Sequence, residues 1–184
     1  MQATDSPELD AWQRCFIALA PDAATRDALA AVPVPASARR VLYEQLHLTV
    51  TFIGSLSVEL GGALAAGLAE PNPPLPPAPV THIEHWPSAA HPRLMVATLA
   101  MSDELVKLDW RVRSLMIKLG LPVDARAFRP HITLARFGRD AAAVNHATQT
   151  PANLLARFES LILYSSTLAR HGARYRALAT TSLP

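Results

Sequence analysis

His47-Leu48-Thr49-Val50 and His131-Ile132-Thr133-Leu134 carry one pattern twice: histidine, apolar residue, threonine, apolar residue. Successive side chains of a β-strand point to opposite faces. His47 and Thr49 therefore share one face, and Leu48 and Val50 the other; His131 and Thr133 stand likewise against Ile132 and Leu134. Each strand is expected to bury its aliphatic face and to offer an imidazole beside a hydroxyl. Where two such strands meet at a cleft, two imidazoles and two hydroxyls converge on a space suited to a phosphate.

The flanking sequence predicts alternating strands and helices. Arg14 to Ala20 is a short apolar run that reads as a buried strand. Pro21-Asp22 opens an Ala-rich helix to about Ala31, and Pro33 and Pro35 end it. A short strand is expected over Arg40 to Tyr43, and the first motif strand runs on to a strand end at Gly54. Ser57 can cap a second helix whose Leu60, Leu64 and Leu68 share a face, although Gly61, Gly62 and Gly67 weaken it. A stiff Pro-rich connector, Pro71 to Pro77, leads to strands over Val80 to Trp86 and Arg93 to Ala100.

The third helix has the clearest signal. Ser102 caps it, Asp103 and Glu104 lie at its positive end, and Leu105, Leu108, Val112, Leu115 and Leu119 form one apolar stripe before Gly120 and Pro122 stop it. The second motif strand then ends near Phe137-Gly138. Strands are expected around Leu155 to Tyr164 and Tyr175 to Thr180. The motifs lie about half a chain apart, which suggests an internal duplication.

Half of the 184 residues are hydrophobic, enough for a substantial interior in one domain or two small lobes sharing a core. No apolar run is long enough to span a bilayer, and the polar N-terminus MQATDSPELD does not read as a signal peptide. Cys15 is the only cysteine, which fits a reducing cytoplasm. A net charge of +2 is too small for a broad nucleic-acid footprint, but arginine-rich usage suits local contact with a phosphate, as on an RNA end or a nucleotide.

Histidine gives or takes a proton near neutral pH, so a pair can divide the labour: a neutral imidazole activates the attacking oxygen and an imidazolium protonates the leaving one. Threonine hydroxyls can hold the phosphoryl oxygens. Arg136 is the candidate cation for phosphate charge. It comes five residues after His131, an odd spacing that requires a bend or a strand end before it can reach the cleft.

Four stretches carry a resemblance. Glu44 to Gly54 and Phe128 to Arg136 resemble the two motifs of the 2H phosphoesterase superfamily, and within it the RNA 2′,3′-cyclic phosphodiesterases also called 2′-5′ RNA ligases. Leu163-Tyr164-Ser165-Ser166 with Gly172, Tyr175 and Leu178 resembles the family's C-terminal strands, and Phe16 to Leu19 its opening strand. Gln45 stands where the family commonly has Asn. The resemblance implies a two-lobed α/β (α+β) LigT-like fold over residues 1–184, with two mainly antiparallel sheets flanking a cleft and helices outside. It implies opening of RNA or nucleoside 2′,3′-cyclic phosphates to 2′-phosphomonoesters without a metal or other cofactor. It implies His47 as the acid and His131 as the base, a division the near-symmetric motifs leave open by themselves. Thr49, Thr133 and Arg136 would bind the phosphate, and 2′-5′ ligation would be a side activity. The expected assembly is a cytoplasmic monomer. Rival readings are a 2H enzyme for another cyclic phosphate, such as ADP-ribose 1″,2″-cyclic phosphate or 2′,5′-linked oligoadenylate, and an RNA-end or nucleotide-binding module.

Other residues invite weaker readings. His82, His85 and His91 lie close in sequence but lack zinc-ligand spacing, and a strand would split His82 from His85. Trp86 suits either base stacking or a core rim. Tyr164 and Tyr175 read as strand residues, and Cys15 as buried and inert. Gly61-Gly62 lies in a helical pattern and forms no phosphate loop.

Overall fold

The computed structural model describes residues 11–170 and 172–184; the reading of the N-terminal ten residues lies outside them. Nine strands and three helices are present among the described residues. They are β1 (Ala11–Pro21), α1 (Ala23–Ala30), β2 (Ala38–Arg40), β3 (Leu48–Ser57), α2 (Val58–Leu68), β4 (Ala78–Pro87), β5 (Pro92–Leu99), α3 (Asp103–Lys118), β6 (His131–Phe137), β7 (Leu155–Ala156), β8 (Phe158–Ala169) and β9 (Gly172–Ser182).

The strands run in the order β7-β4-β5-β6-β3-β1-β8-β9, with β2 also on β6, and every pairing is antiparallel. The centre of this order is its thinnest seam: β3 and β6 are joined by one rung, Leu48 opposite Ile132. The half-sheets β7-β4-β5-β6 and β3-β1-β8-β9 therefore meet at that one rung. The units β1-α1-β3 and β5-α3-β6 share one plan, in which a strand, a helix and an antiparallel neighbour end on a motif strand. The topology thus matches the expected duplication.

Local chemistry accounts for the helices. Asp22, Ser57 and Ser102 each cap a helix, accepting from the backbone N–H three residues on. On α3, Leu105, Leu108, Val112 and Met116 are buried. The α2 glycines that weakened the sequence reading are points of close approach: a Cβ at Gly67 would lie 2.6 Å from the Leu115 side chain of α3, and one at Gly61 2.1 Å from the Trp12 ring. Arg111 of α3 ties the two helices by donating to the Gly67 and Glu70 carbonyls and to Asn72. The core gathers the aliphatic faces of the motif strands, with Leu48, Ile132 and Leu134 all but inaccessible.

Several boundaries differ from the sequence reading. The strand expected over Arg40 to Tyr43 is β2 instead, and Tyr43–Gln45 forms a turn of 3-10 helix. Arg26 holds that turn, donating to the Tyr43 and Leu46 carbonyls. Gly54 is not a strand end: at φ +94° it sits opposite Cys15 within β3, where the ladder slips register. The C-terminal strands are longer than expected because β8 and β9 form one hairpin ladder from Ser160↔Ser182 to Ala169↔Gly172, with one register slip after Leu163.

Candidate active site

The single rung between the half-sheets fixes the site. Leu48 and Ile132 pair with both side chains buried, so their neighbours turn to the opposite face. His47, Thr49, His131 and Thr133, the residues on either side of that rung, therefore turn to one face. All four line one open cavity of about 700 Å³, together with Arg136. Both motif imidazoles, both hydroxyls and the candidate cation thus come together.

The odd spacing of Arg136 is resolved by a bulge. On β5, Val96 and Met95 are adjacent, yet they pair with Thr133 and Ala135, so Leu134 is an extra residue on β6. That insertion reverses the facing of the later β6 residues and brings Arg136 to the cleft side. β3 bulges at the same place: Ala18 and Ile17 pair with Thr49 and Thr51, which leaves Val50 extra. Beyond it Phe52 turns to the cleft, and its ring remains 65% exposed.

The two imidazoles are held by one device. His47 Nδ1 lies 2.7 Å from the Gln45 carbonyl oxygen, and His131 Nδ1 lies 2.6 Å from that of Arg129. A carbonyl only accepts, so each Nδ1 carries the proton and each Nε2 is left for chemistry. Thr49 Oγ1 is 3.1 Å from His47 Nε2 and donates to it when the ring is neutral. The Gln45 side chain also reaches the Ala173 carbonyl of β9, at 2.9 Å, and so ties the loop before His47 to the far hairpin.

The two rings have different surroundings. His47 sits among aromatics, with Phe16, Tyr175 and Tyr164 ring centroids at 5.1, 5.4 and 6.4 Å. His131 packs on Trp86 at 4.5 Å, and the Arg129 guanidinium covers the Trp86 ring at 4.1 Å. Burial pushes the His47 pKa down to about 4; the Gln45 carbonyl opposes this, while the positive charge of Arg136 and His131 adds to it. His131 is lowered as well, again mainly by burial. Both rings therefore favour the neutral form at pH 7, and a bound phosphate anion would raise both.

Sequence reasoning missed several lining residues. Arg39 is the register partner of Arg136 across β2 and β6, and Arg14 and Arg170 line the same cavity. Phe16 and Tyr175, which flank His47, line it too; Tyr175 is a strand residue as expected, with its ring at the site. Trp86 does not line this cavity. It lines a neighbouring one of about 780 Å³ and acts on the cleft through its contact with His131. Cys15 is buried, and its thiol is pushed up to about 11 by that burial, so it is inert at neutral pH. His82 and His85 fall on opposite faces of β4, since their partners Thr98 and Met95 are an odd number of residues apart. No described residues form a cluster of three or more His, Cys, Asp or Glu side chains fit to hold a metal ion. No helix among them is long and apolar enough to cross a membrane.

Several known proteins share this fold. The family model described as LigT like phosphoesterase matches residues 99–175, a span that contains the second motif. The structure of E. coli LigT complexed with 3′-AMP is similar at 26% identity and a TM-score of 0.72, over 94% of this chain and 98% of that one. E. coli LigT complexed with NADP+ is similar at 26% identity and 0.71, over 94% and 98%. TT0787 of Thermus thermophilus is similar at 28% identity and 0.76, over 92% and 97%. No curated protein matches the chain. Family model and fold together support placing the chain in the LigT-like family of the 2H phosphoesterase superfamily.

Proposed function

We propose that this chain, a LigT-like phosphoesterase, opens the 2′,3′-cyclic phosphate of RNA ends or nucleosides to a 2′-phosphomonoester. The fold supports phosphodiester hydrolysis or ligation in general; the choice of a cyclic phosphate is our reading. One observation carries it. Two imidazoles, each fixed through Nδ1 to the carbonyl two residues before it, present Nε2 to a single cleft that also holds two threonines and Arg136. In-line displacement at phosphorus needs a base on one side and an acid on the other.

In this mechanism Thr49, Thr133 and Arg136 hold the non-bridging oxygens. His131 Nε2 takes a proton from water as its oxygen attacks phosphorus. The P–O3′ bond breaks, and His47, protonated once the anionic substrate is bound, gives its Nε2 proton to O3′. The acid and base roles are those the family resemblance implies. A 5′-hydroxyl in place of water would form a 2′-5′ phosphodiester at the same site. The LigT complexes with 3′-AMP and NADP+ favour a nucleotide-bearing substrate. We place the activity in the cytoplasm, in a single two-lobed domain acting as a monomer.

The test is hydrolysis of adenosine 2′,3′-cyclic phosphate with excess chelator present. Wild-type protein should yield the 2′-phosphate, and His47→Ala and His131→Ala should each lose at least about a thousandfold in kcat, since acid and base each supply roughly 10²–10⁴-fold. Near-wild-type turnover in either variant would refute the assignment. Tight binding without product would favour the binding-module reading.

A further inference from the structure

The cleft holds more positive charge than one phosphate requires. Arg14, Arg39, Arg136 and Arg170 line it, with no carboxylate side chain among the described lining residues. The ion pairs among the described residues lie elsewhere, at Arg113–Asp109 and Arg126–Asp124. In a chain of net charge +2, this is a local concentration of charge. Arg39 and Arg136 stand together as register partners on β2 and β6, on one side of β3. Arg14 lies on β1, on the other side of β3, and Arg170 is in the turn directly after β8, the strand that comes after β1 in the sheet.

Arg14 is also held in an unusual conformation. Its φ is +50°, the left-handed region that costs an L-residue roughly 1–2 kcal/mol. It sits where the β1–β3 ladder slips register between Trp12 and Cys15, and Cys15 pairs with Gly54. Gly54 has φ +94° and nothing near the position a Cβ would take, so this rim is open beside Arg14. Strain of this kind persists where surrounding structure enforces it, and it clusters at ligand sites. Along β3 the cleft thus presents, in order, Thr49, the exposed ring of Phe52, and the Gly54 rim with Arg14.

We propose that Arg14 and Arg170 form a second phosphate subsite, across β3 from Arg136, for the phosphate on the 5′-oxygen of the nucleoside whose other phosphate lies between His47 and His131. The nucleoside then lies along Phe52. This rests on the proposed nucleotide chemistry and sharpens it: the preferred substrate carries a 5′-phosphate, as RNA ends and 5′-nucleotides do and nucleoside cyclic phosphates do not.

Calorimetric titration at fixed ionic strength with adenosine 3′-monophosphate and adenosine 3′,5′-bisphosphate tests it without turnover. Charged hydrogen bonds predict that wild-type protein binds the bisphosphate about tenfold or more tightly than the monophosphate. In Arg14→Ala and Arg170→Ala that ratio should fall toward one, while Arg157→Ala, an equal charge change outside the cleft, should keep it. A ratio near one in wild type, or a fall of equal size in Arg157→Ala, would overturn the subsite. Two further substrates identify the source of the phosphate: a preference in kcat/KM for 5′-phosphorylated adenosine 2′,3′-cyclic phosphate shows that a terminal phosphate suffices, and a preference confined to a dinucleotide shows an internucleotide one. Failure of cyclic-phosphate hydrolysis with the bisphosphate ratio intact would instead count against the proposed reaction alone.

Discussion

Phe52 and Arg136 occupy the same place in two copies of one local structure. Each lies five residues after a motif histidine, just past a single-residue bulge, with its side chain in the cleft. In the proposed reaction the two would divide a nucleotide between them. Phe52 offers a ring face, worth roughly 1–3 kcal/mol to a stacked base, and Arg136 offers charge to phosphate. Phe52→Ala should weaken 3′-AMP binding by about tenfold or more while leaving inorganic phosphate binding nearly unchanged. Arg136→Ala should weaken both and lower kcat about a hundredfold, the usual scale for losing one transition-state donor. Calorimetry with the two ligands, beside steady-state kinetics, separates these effects.

The pH profile should show how the cleft depresses both imidazoles. The proposed reaction needs one ring protonated and the other neutral, and kcat/KM reports the free enzyme. With His47 near 4 and His131 also lowered, kcat/KM should peak below pH ~6.5, the ordinary value for histidine. The kcat profile, which reports the complex, should lie at higher pH, because the bound anion favours both imidazolium forms. Coincident profiles would contradict this.

Stability should fall on mild acidification. The folded His47 pKa lies below its unfolded value, so the unfolded chain binds the proton first as pH drops. The folded protein keeps its full stability above about 6.5 and loses it progressively down toward about 4, by roughly 2 kcal/mol near pH 5. Urea melts across this range should show the loss in wild type and a smaller one in His47→Gln.

Relieving the backbone at Arg14 should stabilise the fold. Gly adopts φ +50° without the Cβ penalty, so Arg14→Gly should gain about 1 kcal/mol, or roughly 3 °C in Tm, despite the added chain entropy. The same variant should lose the bisphosphate preference. Scanning calorimetry and the titration together would then show stability given up for binding.

The contact of Trp86 with His131 should orient the ring. Trp86→Leu removes the aromatic face 4.5 Å from the imidazole but keeps apolar bulk. It should lower kcat severalfold, with KM for a mononucleotide little changed, and shift the acid limb of the pH profile; Trp86→Phe should restore most of the loss. A Leu variant with an unchanged profile would make Trp86 a cavity wall only.

Much of this was legible in the sequence. Period-two alternation around His47 and His131 set their faces, and the stripe from Leu105 to Leu119 gave α3. The bulges were not legible, because an extra strand residue shows only against a partner: Leu134 is surplus relative to Val96 and Met95, which lie on another strand. A signal for Phe52 did exist, since His47 to Gly54 and His131 to Gly138 share histidine, threonine and glycine at matching positions. Arg14 and Arg39 carry no comparable mark.

The sequence by itself determined which way each motif strand turns the residues ahead of its bulge, His47 and Thr49 on one strand and His131 and Thr133 on the other, because the period-two geometry of one strand is enough to set that. Only the tertiary structure decided what those side chains face. The Leu48–Ile132 rung brings the two imidazoles to one cavity, and the register slips on β1, β3 and β6 bring Arg14, Phe52 and Arg136 to it as well. Such placement depends on pairing between segments distant in the chain, and no local pattern of residues encodes it.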